Sequence, residues 1–232
     1  MPIKNSRINP FRFHIHFIEA LLDALELEKV SLVGISMGGG ISLGFALANP
    51  QRVRKLVLVS SYGLGREMFG GKGAYLFPRV PLLYEIVRRS AQRSRRLVRL
   101  GMSKLVSGAA ALTGEMLEDA WQSLRSSGVH HTWKAFLQSE LTFTGYRTHF
   151  GAHLQRLSIP TLIVHGDKDR LIPLRLAEQA ARQIPGARLH IFKNCGHLPP
   201  REKPGEFNEV LGQFLKDPGK VGGGDEAVGS KQ

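Results

Sequence analysis

Val30-Ser31-Leu32-Val33-Gly34-Ile35-Ser36-Met37-Gly38-Gly39-Gly40 is an apolar run that breaks at a Gly-x-Ser-x-Gly and continues into Ile41-Ser42-Leu43-Gly44-Phe45-Ala46-Leu47-Ala48. It reads as strand, sharp turn and helix, with Ser36 on the turn. A turn this tight strains the backbone at the serine and brings neighbouring chain close, so positions 34 and 38 are expected to have little room for a side chain, and Gly34 and Gly38 meet that demand. The geometry lifts the Ser36 hydroxyl above the end of the strand and sets it at the positive end of the next helix. It also leaves the Met37 N–H free to face a developing oxyanion.

Two further motifs follow downstream. After the apolar run Thr161-Leu162-Ile163-Val164 comes His165-Gly166-Asp167-Lys168-Asp169-Arg170-Leu171-Ile172-Pro173, and after Leu189-His190-Ile191-Phe192 comes Cys195-Gly196-His197-Leu198. With the serine turn they resemble the α/β-hydrolase superfamily, whose nucleophile, acid and histidine occur in that chain order. The resemblance spans about residues 13–216. It implies a mostly parallel sheet flanked by helices, with Ser36 as nucleophile, His197 as base, Asp169 as acid, Met37 in the oxyanion hole, and Gly34 and Gly38 in the nucleophile elbow. The chemistry suits the residue types. A serine hydroxyl needs a base to take its proton as it attacks, histidine titrates in the right range, and a carboxylate holds the imidazole in the right tautomer. Asp167 is the rival acid. Asp169 is preferred because it fits the family's Gly-x-x-Asp spacing, whereas Asp167 is expected to hydrogen-bond within its own turn.

With 232 residues, 42% of them hydrophobic, the chain can bury a sizeable core. A single cysteine, Cys195, excludes an internal disulfide, fits a reducing compartment and reads as a buried structural thiol. No signal-peptide pattern and no run of membrane-spanning length is evident, so a cytoplasmic location is expected. The net charge of +13 is unevenly spread. Tyr62 to Lys104 holds ten basic residues, Arg66, Lys72, Arg79, Arg88, Arg89, Arg93, Arg95, Arg96, Arg99 and Lys104, against Glu67 and Glu85. Such a patch attracts anions or forms a solvated helix face. Its arginines are not interleaved with aromatics or set in a nucleic-acid motif, so no nucleic-acid partner is expected.

Four segments are expected. Residues 1–61 hold a helix opened by Pro10, the nucleophile strand and elbow, and a buried strand around Leu56-Val57-Leu58-Val59. In residues 62–158 strand runs vanish, a glycine-rich approach leads into helices from Pro81, around Met116 to Leu124 ended by Gly128, and around Trp133 to Leu141. This part resembles the helical cap that the family inserts after its sixth strand. Trp121, Trp133, Phe136, Phe143 and Tyr146 either line a substrate pocket there or form the cap's own core. Residues 159–216 carry the acid and histidine loops, and residues 217–232 read as a disordered tail.

Complete family members have further strands, and a loop supplying a second oxyanion donor, upstream of the first helix seen here. Their absence leaves Val30 to Ile35 as an apolar sheet edge. An N-terminally truncated form of a longer enzyme is expected; a second chain covering the edge is the alternative. The expected activity is hydrolysis of a small organic substrate, a carboxylic ester first, through an acyl-enzyme. The alternatives are a carbon–carbon bond hydrolase of ring-cleavage products, which the Gly-Ile-Ser-Met-Gly-Gly elbow also resembles, and a non-catalytic binder of a partner or anionic surface through the basic cap. No cofactor or metal is expected: His149 and His153 lack a third ligand at suitable spacing, and no phosphate loop or dinucleotide fingerprint is present.

Overall fold

The structure, a computed structural model, describes residues 10–67 and 70–217. Helix α1 (Pro10–Ala24) leads to strand β1 (Val30–Ile35), helix α2 (Met37–Ala48) and strand β2 (Val53–Val59). An insertion follows, with helices α3 (Gly71–Leu76), α4 (Pro81–Arg93), α5 (Arg95–Met102), α6 (Gly114–Arg125) and α7 (Ser127–Glu140) and the two-residue strands β3 (Leu141–Thr142) and β4 (Gly145–Tyr146). The chain then resumes with strand β5 (Thr161–Gly166), helix α8 (Leu174–Gln183), strand β6 (Arg188–Phe192) and helices α9 (Pro199–Glu202) and α10 (Pro204–Lys216). Strands β1, β2, β5 and β6 pair in that order, all parallel. Their C-terminal ends therefore lie along one edge of the sheet.

One face of the sheet packs Leu56, Leu58 and Ile163 with Leu43 and Phe45 of α2, Phe11 and Leu22 of α1, and Ala177 and Ala180 of α8. The other packs Val57, Val59, Leu162 and Val164 against Phe207 and Phe214 of α10. The continuous apolar runs of β2 and β5 follow from this burial on both sides. Lys55 is the exception in β2. It is buried, and its ammonium donates to the carbonyls of Phe214 (2.7 Å), Leu215 (2.9 Å) and Asp217, satisfying orphan carbonyls at the end of α10.

The insertion departs from the expected pattern in three ways. The glycine-rich approach contains α3, entered through Gly70 in a left-handed conformation (φ 77°). Gly128 lies in the first turn of α7 rather than ending α6, because Ser126 separates the two helices. Strands β3 and β4 form a hairpin where no strand was expected. Gly145 permits it with φ 123°, since a Cβ there would lie 2.0 Å from the Arg66 carbonyl. The expected tail lies outside the described residues apart from Asp217.

Among the described residues β1 is an edge strand, as expected. Its Val30 and Leu32 pack on the first core, but Val33 and Ile35 point to the α10 side and remain 42% and 39% exposed, because α10 reaches only as far as β2, β5 and β6. Phe13, Phe17 and Leu21 of α1 are also exposed. An open apolar edge of this kind promotes edge-to-edge association. The isolated chain is expected to self-associate in sedimentation velocity, and V33K/I35K to shift it towards monomer; an unchanged distribution would show that this edge is not the contact.

Candidate functional site

Ser36 sits between β1 and α2 with φ 51° and ψ −117°, a strained conformation for a residue with a side chain. Three backbone hydrogen bonds hold it: its N–H donates to the Val59 carbonyl (2.9 Å), and its carbonyl accepts from Tyr62 (3.0 Å) and Gly40 (3.2 Å). Gly34 is required, since a Cβ there would lie 2.4 Å from the Gly38 carbonyl oxygen. The expectation for Gly38 is not met, because a Cβ on it would meet nothing within 4 Å. The close approaches fall instead on Gly39, at 2.4 Å from Ser61 Oγ, and Gly40, at 2.8 Å from the Tyr62 ring. The chain leaving β2 crosses the start of α2 there, which a Gly-x-Ser-x-Gly pattern does not reveal. Met37 opens α2, so its N–H is one of the orphan donors of the helix start.

Asp169 and His197 lie on the loops after β5 and β6, at the same sheet edge as Ser36. His197 Nδ1 donates to Asp169 Oδ2 at 2.8 Å, with both side chains almost fully buried. Asp169 Oδ1 accepts from the N–H groups of Leu171 (2.8 Å) and Ile172 (3.0 Å). Burial opposes the charged form of Asp169, but the hydrogen bond and charge of His197, the Ile172 N–H and His165 outweigh it and hold the carboxyl below its ordinary value. Among the described residues no hydrogen bond joins Ser36 Oγ to His197. Such bonds are often loose before substrate binds.

His165 adds a contact the sequence reading did not single out. Its Nε2 lies 2.9 Å from the Ile172 carbonyl and 3.3 Å from Asp169 Oδ2, both acceptors, so Nε2 carries the proton. Burial pushes its pKa down. The ring is therefore a neutral donor to the Ile172 carbonyl that packs beside the Asp169 carboxylate.

The acid and histidine loops are locked together. A Cβ at Gly166 would lie 2.1 Å from the Gly196 carbonyl oxygen. Asp167 bonds across this junction to the Cys195 N–H (3.2 Å) rather than within its own turn, so the expectation of a local role gives way to a bridging one. Glu202 of α9 receives the N–H groups of Gly196 (3.0 Å), Leu198 (3.2 Å) and Ser107 (2.7 Å), the last from the insertion. The His197 N–H donates to the Leu105 carbonyl at 2.7 Å, also in the insertion. Cys195 is buried, and desolvation, reinforced by Glu202, pushes its thiol up to about 12. It is an inert thiol at neutral pH.

Ser36 and Met37 line a cavity of about 180 Å³ whose other walls include Tyr62, Trp133, Phe136, Tyr146 and Ile172. Of the five aromatic candidates, Trp133, Phe136 and Tyr146 reach it. Trp121 lies instead under Arg95 (5.3 Å) and Phe143 under Lys72 (4.6 Å). Tyr62 donates to the fully buried Glu140 at 2.7 Å, so burial and that carboxylate push the phenol pKa up and keep it neutral. Among the described residues lining the cavity there is no lysine or arginine.

Two outcomes follow from this geometry. Because the folded-state pKa of Asp169 lies below its unfolded value, its ionised form stabilises the fold fully above that unfolded value, and the contribution is lost as pH falls through the folded-state pKa. Urea denaturation is expected to show this loss on acidification below about pH 4, and Asp169→Asn to flatten that part of the profile. Glu202→Ala leaves three loop N–H groups without their acceptor and is expected to cost about 1–3 kcal/mol, with Glu202→Gln recovering part of it; equal stabilities in thermal melts would refute the role of the carboxylate.

The sequence matches the family described as the alpha/beta hydrolase fold over residues 2–204. It is 34% identical over 203 residues to a 2-hydroxy-6-oxononadienedioate/2-hydroxy-6-oxononatrienedioate hydrolase of Pseudomonas putida, covering 86% of this chain and 67% of that protein. It is 32% identical over 206 residues to the enzyme of the same name from Cupriavidus pinatubonensis, covering 85% of this chain and 66% of that protein. The chain thus spans about two thirds of the length of these relatives. A meta-cleavage product hydrolase of Pseudomonas fluorescens superposes with a TM-score of 0.72 at 22% identity, over 92% of this chain and 74% of that one. The matched span includes the elbow and both downstream loops, and the four-stranded parallel sheet has the family's fold: the chain belongs to the alpha/beta hydrolase family.

Proposed function

We propose that this chain carries the reaction centre of a serine hydrolase for a small, apolar, uncharged organic substrate, a carboxylic ester first. Ser36 attacks the carbonyl carbon while His197 takes its proton, and the Met37 N–H faces the oxyanion. Asp169, ionised and held by the N–H groups of Leu171 and Ile172, keeps Nδ1 protonated and stabilises the imidazolium. Collapse of the tetrahedral intermediate expels the alcohol, which takes the proton from His197, and leaves an acyl group on Ser36. Water, activated by the same histidine, then releases the acid. The helical insertion acts as a cap, supplying Trp133 and Phe136 to the cavity and holding the histidine loop through Leu105 and Ser107.

The observation that carries this reading is the cavity lining. Ser36 opens on aromatic and aliphatic walls, with no cationic side chain among the described residues to neutralise an anionic substrate. The second reading, cleavage of a carbon–carbon bond in a ring-cleavage product, rests on the relatives' names, whose substrates are dioates. Comparison therefore favours the carbon–carbon reading and the cavity favours the ester. The cavity is small beside common ligand pockets, which favours short acyl groups. The open β1 edge belongs to this proposal too: a further polypeptide segment pairs with β1 and brings a second oxyanion donor.

Fluorophosphonate labelling of the purified chain, with the adduct located by mass spectrometry, is expected to modify Ser36. In turnover assays Ser36→Ala is expected to lower kcat by about four orders of magnitude or more. Neutral short-chain esters turned over in preference to dienoate ketones would support the ester reading, and the reverse order the carbon–carbon one. A folded chain that labels nowhere would overturn both.

A further inference from the structure

A surface helix ordinarily turns its apolar stripe inward. Helix α4 does the reverse over much of its length. Tyr84 is buried and Gln92 is anchored inward, donating to the Leu124 carbonyl at 2.6 Å, while Leu82, Leu83, Ile86 and Val87 face outward. Helix α5 buries Val98 and presents Leu97 and Leu100. These six outward side chains are between 44% and 73% exposed, a contiguous apolar face of the kind soluble monomers avoid.

The rim of that face is basic. Arg89, Arg93, Arg96 and Arg99 are exposed on the same two helices. Arg93, Arg96 and Arg99 form no ion pair with any described residue. Glu85, the one acidic residue on these helices, is engaged by Arg88 and Arg89. On neighbouring α6, Glu118 pairs with Arg95 and Asp119 with Arg201. Exposed leucine and isoleucine ringed by unpaired arginine is the composition of a helix lying in a membrane interface. Between α4, α5 and α6 a groove of about 760 Å³ is lined by Ile86, Val87, Leu97 and Leu100 of this face, and also by Trp133, which borders the Ser36 cavity.

We propose that the outer face of α4 and α5 docks on the surface of an anionic phospholipid bilayer, with Leu82, Ile86, Leu97 and Leu100 among the acyl chains and the arginines at the headgroups. Charge complementarity selects this occupant over a second copy of the chain, whose identical basic rim would repel. The proposal stands apart from the hydrolytic reading and is tested without any assay of activity.

The test is co-sedimentation of the full 232-residue chain with vesicles of phosphatidylcholine alone and of phosphatidylcholine enriched in phosphatidylserine. Binding is expected to the anionic vesicles only, weakening as salt rises. R93Q/R96Q/R99Q is expected to weaken it about 100-fold, about five-fold for each arginine. L82S/I86S is expected to weaken it about ten-fold or more while leaving the circular dichroism melt unchanged, because both side chains are exposed. Absence of binding to anionic vesicles at low salt would overturn the proposal. So would binding that L82S/I86S does not reduce, or equally tight binding to duplex DNA, since either marks a general polyanion surface. A dimer abolished by L82S/I86S, without vesicle binding, would assign the face to a second copy.

Discussion

Ser36 keeps a positive φ because β2, the start of α2 and the segment after β2 all bind its backbone at once. The Val59 carbonyl takes its N–H, and its own carbonyl takes the N–H groups of Tyr62 and Gly40. A conformation of this kind costs on the order of 1–3 kcal/mol and persists only where its surroundings over-determine it. Gly34, Gly39 and Gly40 permit the crowding. Phe11 of α1 and Tyr62, both members of the first core, meet α2 at Gly40 beside this corner. The site is thus anchored in the sheet and does not hang from a mobile loop.

The other half of the site is a joint between two loops. The parallel sheet brings the turns after β5 and β6 to the same edge, and the contact of Gly166 with Gly196 lets them touch. Asp167 then converts contact into registry by accepting the Cys195 N–H from the partner loop, while Glu202 gathers N–H groups of its own loop and of Ser107, and the insertion closes over the histidine through Leu105. Each carboxylate does a different job: Asp169 faces the imidazole, Asp167 ties loop to loop, and Glu202 ties the histidine loop to the insertion. Their separation into roles follows from burial and donor geometry, which set where a carboxylate charge is satisfied.

The insertion faces two ways. Inward, Trp133, Phe136 and Tyr146 give the Ser36 cavity its apolar walls; outward, α4 and α5 leave an apolar face with a basic rim. Part of the arginine excess between Tyr62 and Lys104 belongs to that outward face: Arg89, Arg93, Arg96 and Arg99 are exposed on α4 and α5, while Arg95 turns to Glu118 of α6 and Arg79 to the carbonyls of Gln138 and Leu141.

Local chemistry is legible in the sequence alone. The Gly-x-Ser-x-Gly break, the two downstream motifs in order, the doubly buried run of β2 and the proline-opened helices α1 and α10 each depend on residues close in the chain, and the structure places those elements where the pattern predicts. The hydrogen bond of His197 to Asp169 was readable because the family resemblance supplies the pairing that spacing alone does not. What tertiary structure decided involves residues far apart. Glycine is required at 39 and 40 rather than 38 because Ser61 and Tyr62 cross there. Asp167 bridges the two loops because the sheet sets β5 beside β6, and Glu202 meets Ser107 because the insertion folds over the histidine loop. Trp133 lines the cavity and Trp121 does not, because helical spacing gives a residue's face but not what that face meets. Periodicity shows that α4 is amphipathic; only the packing of Tyr84 and Gln92 shows that its apolar side is the one left in water.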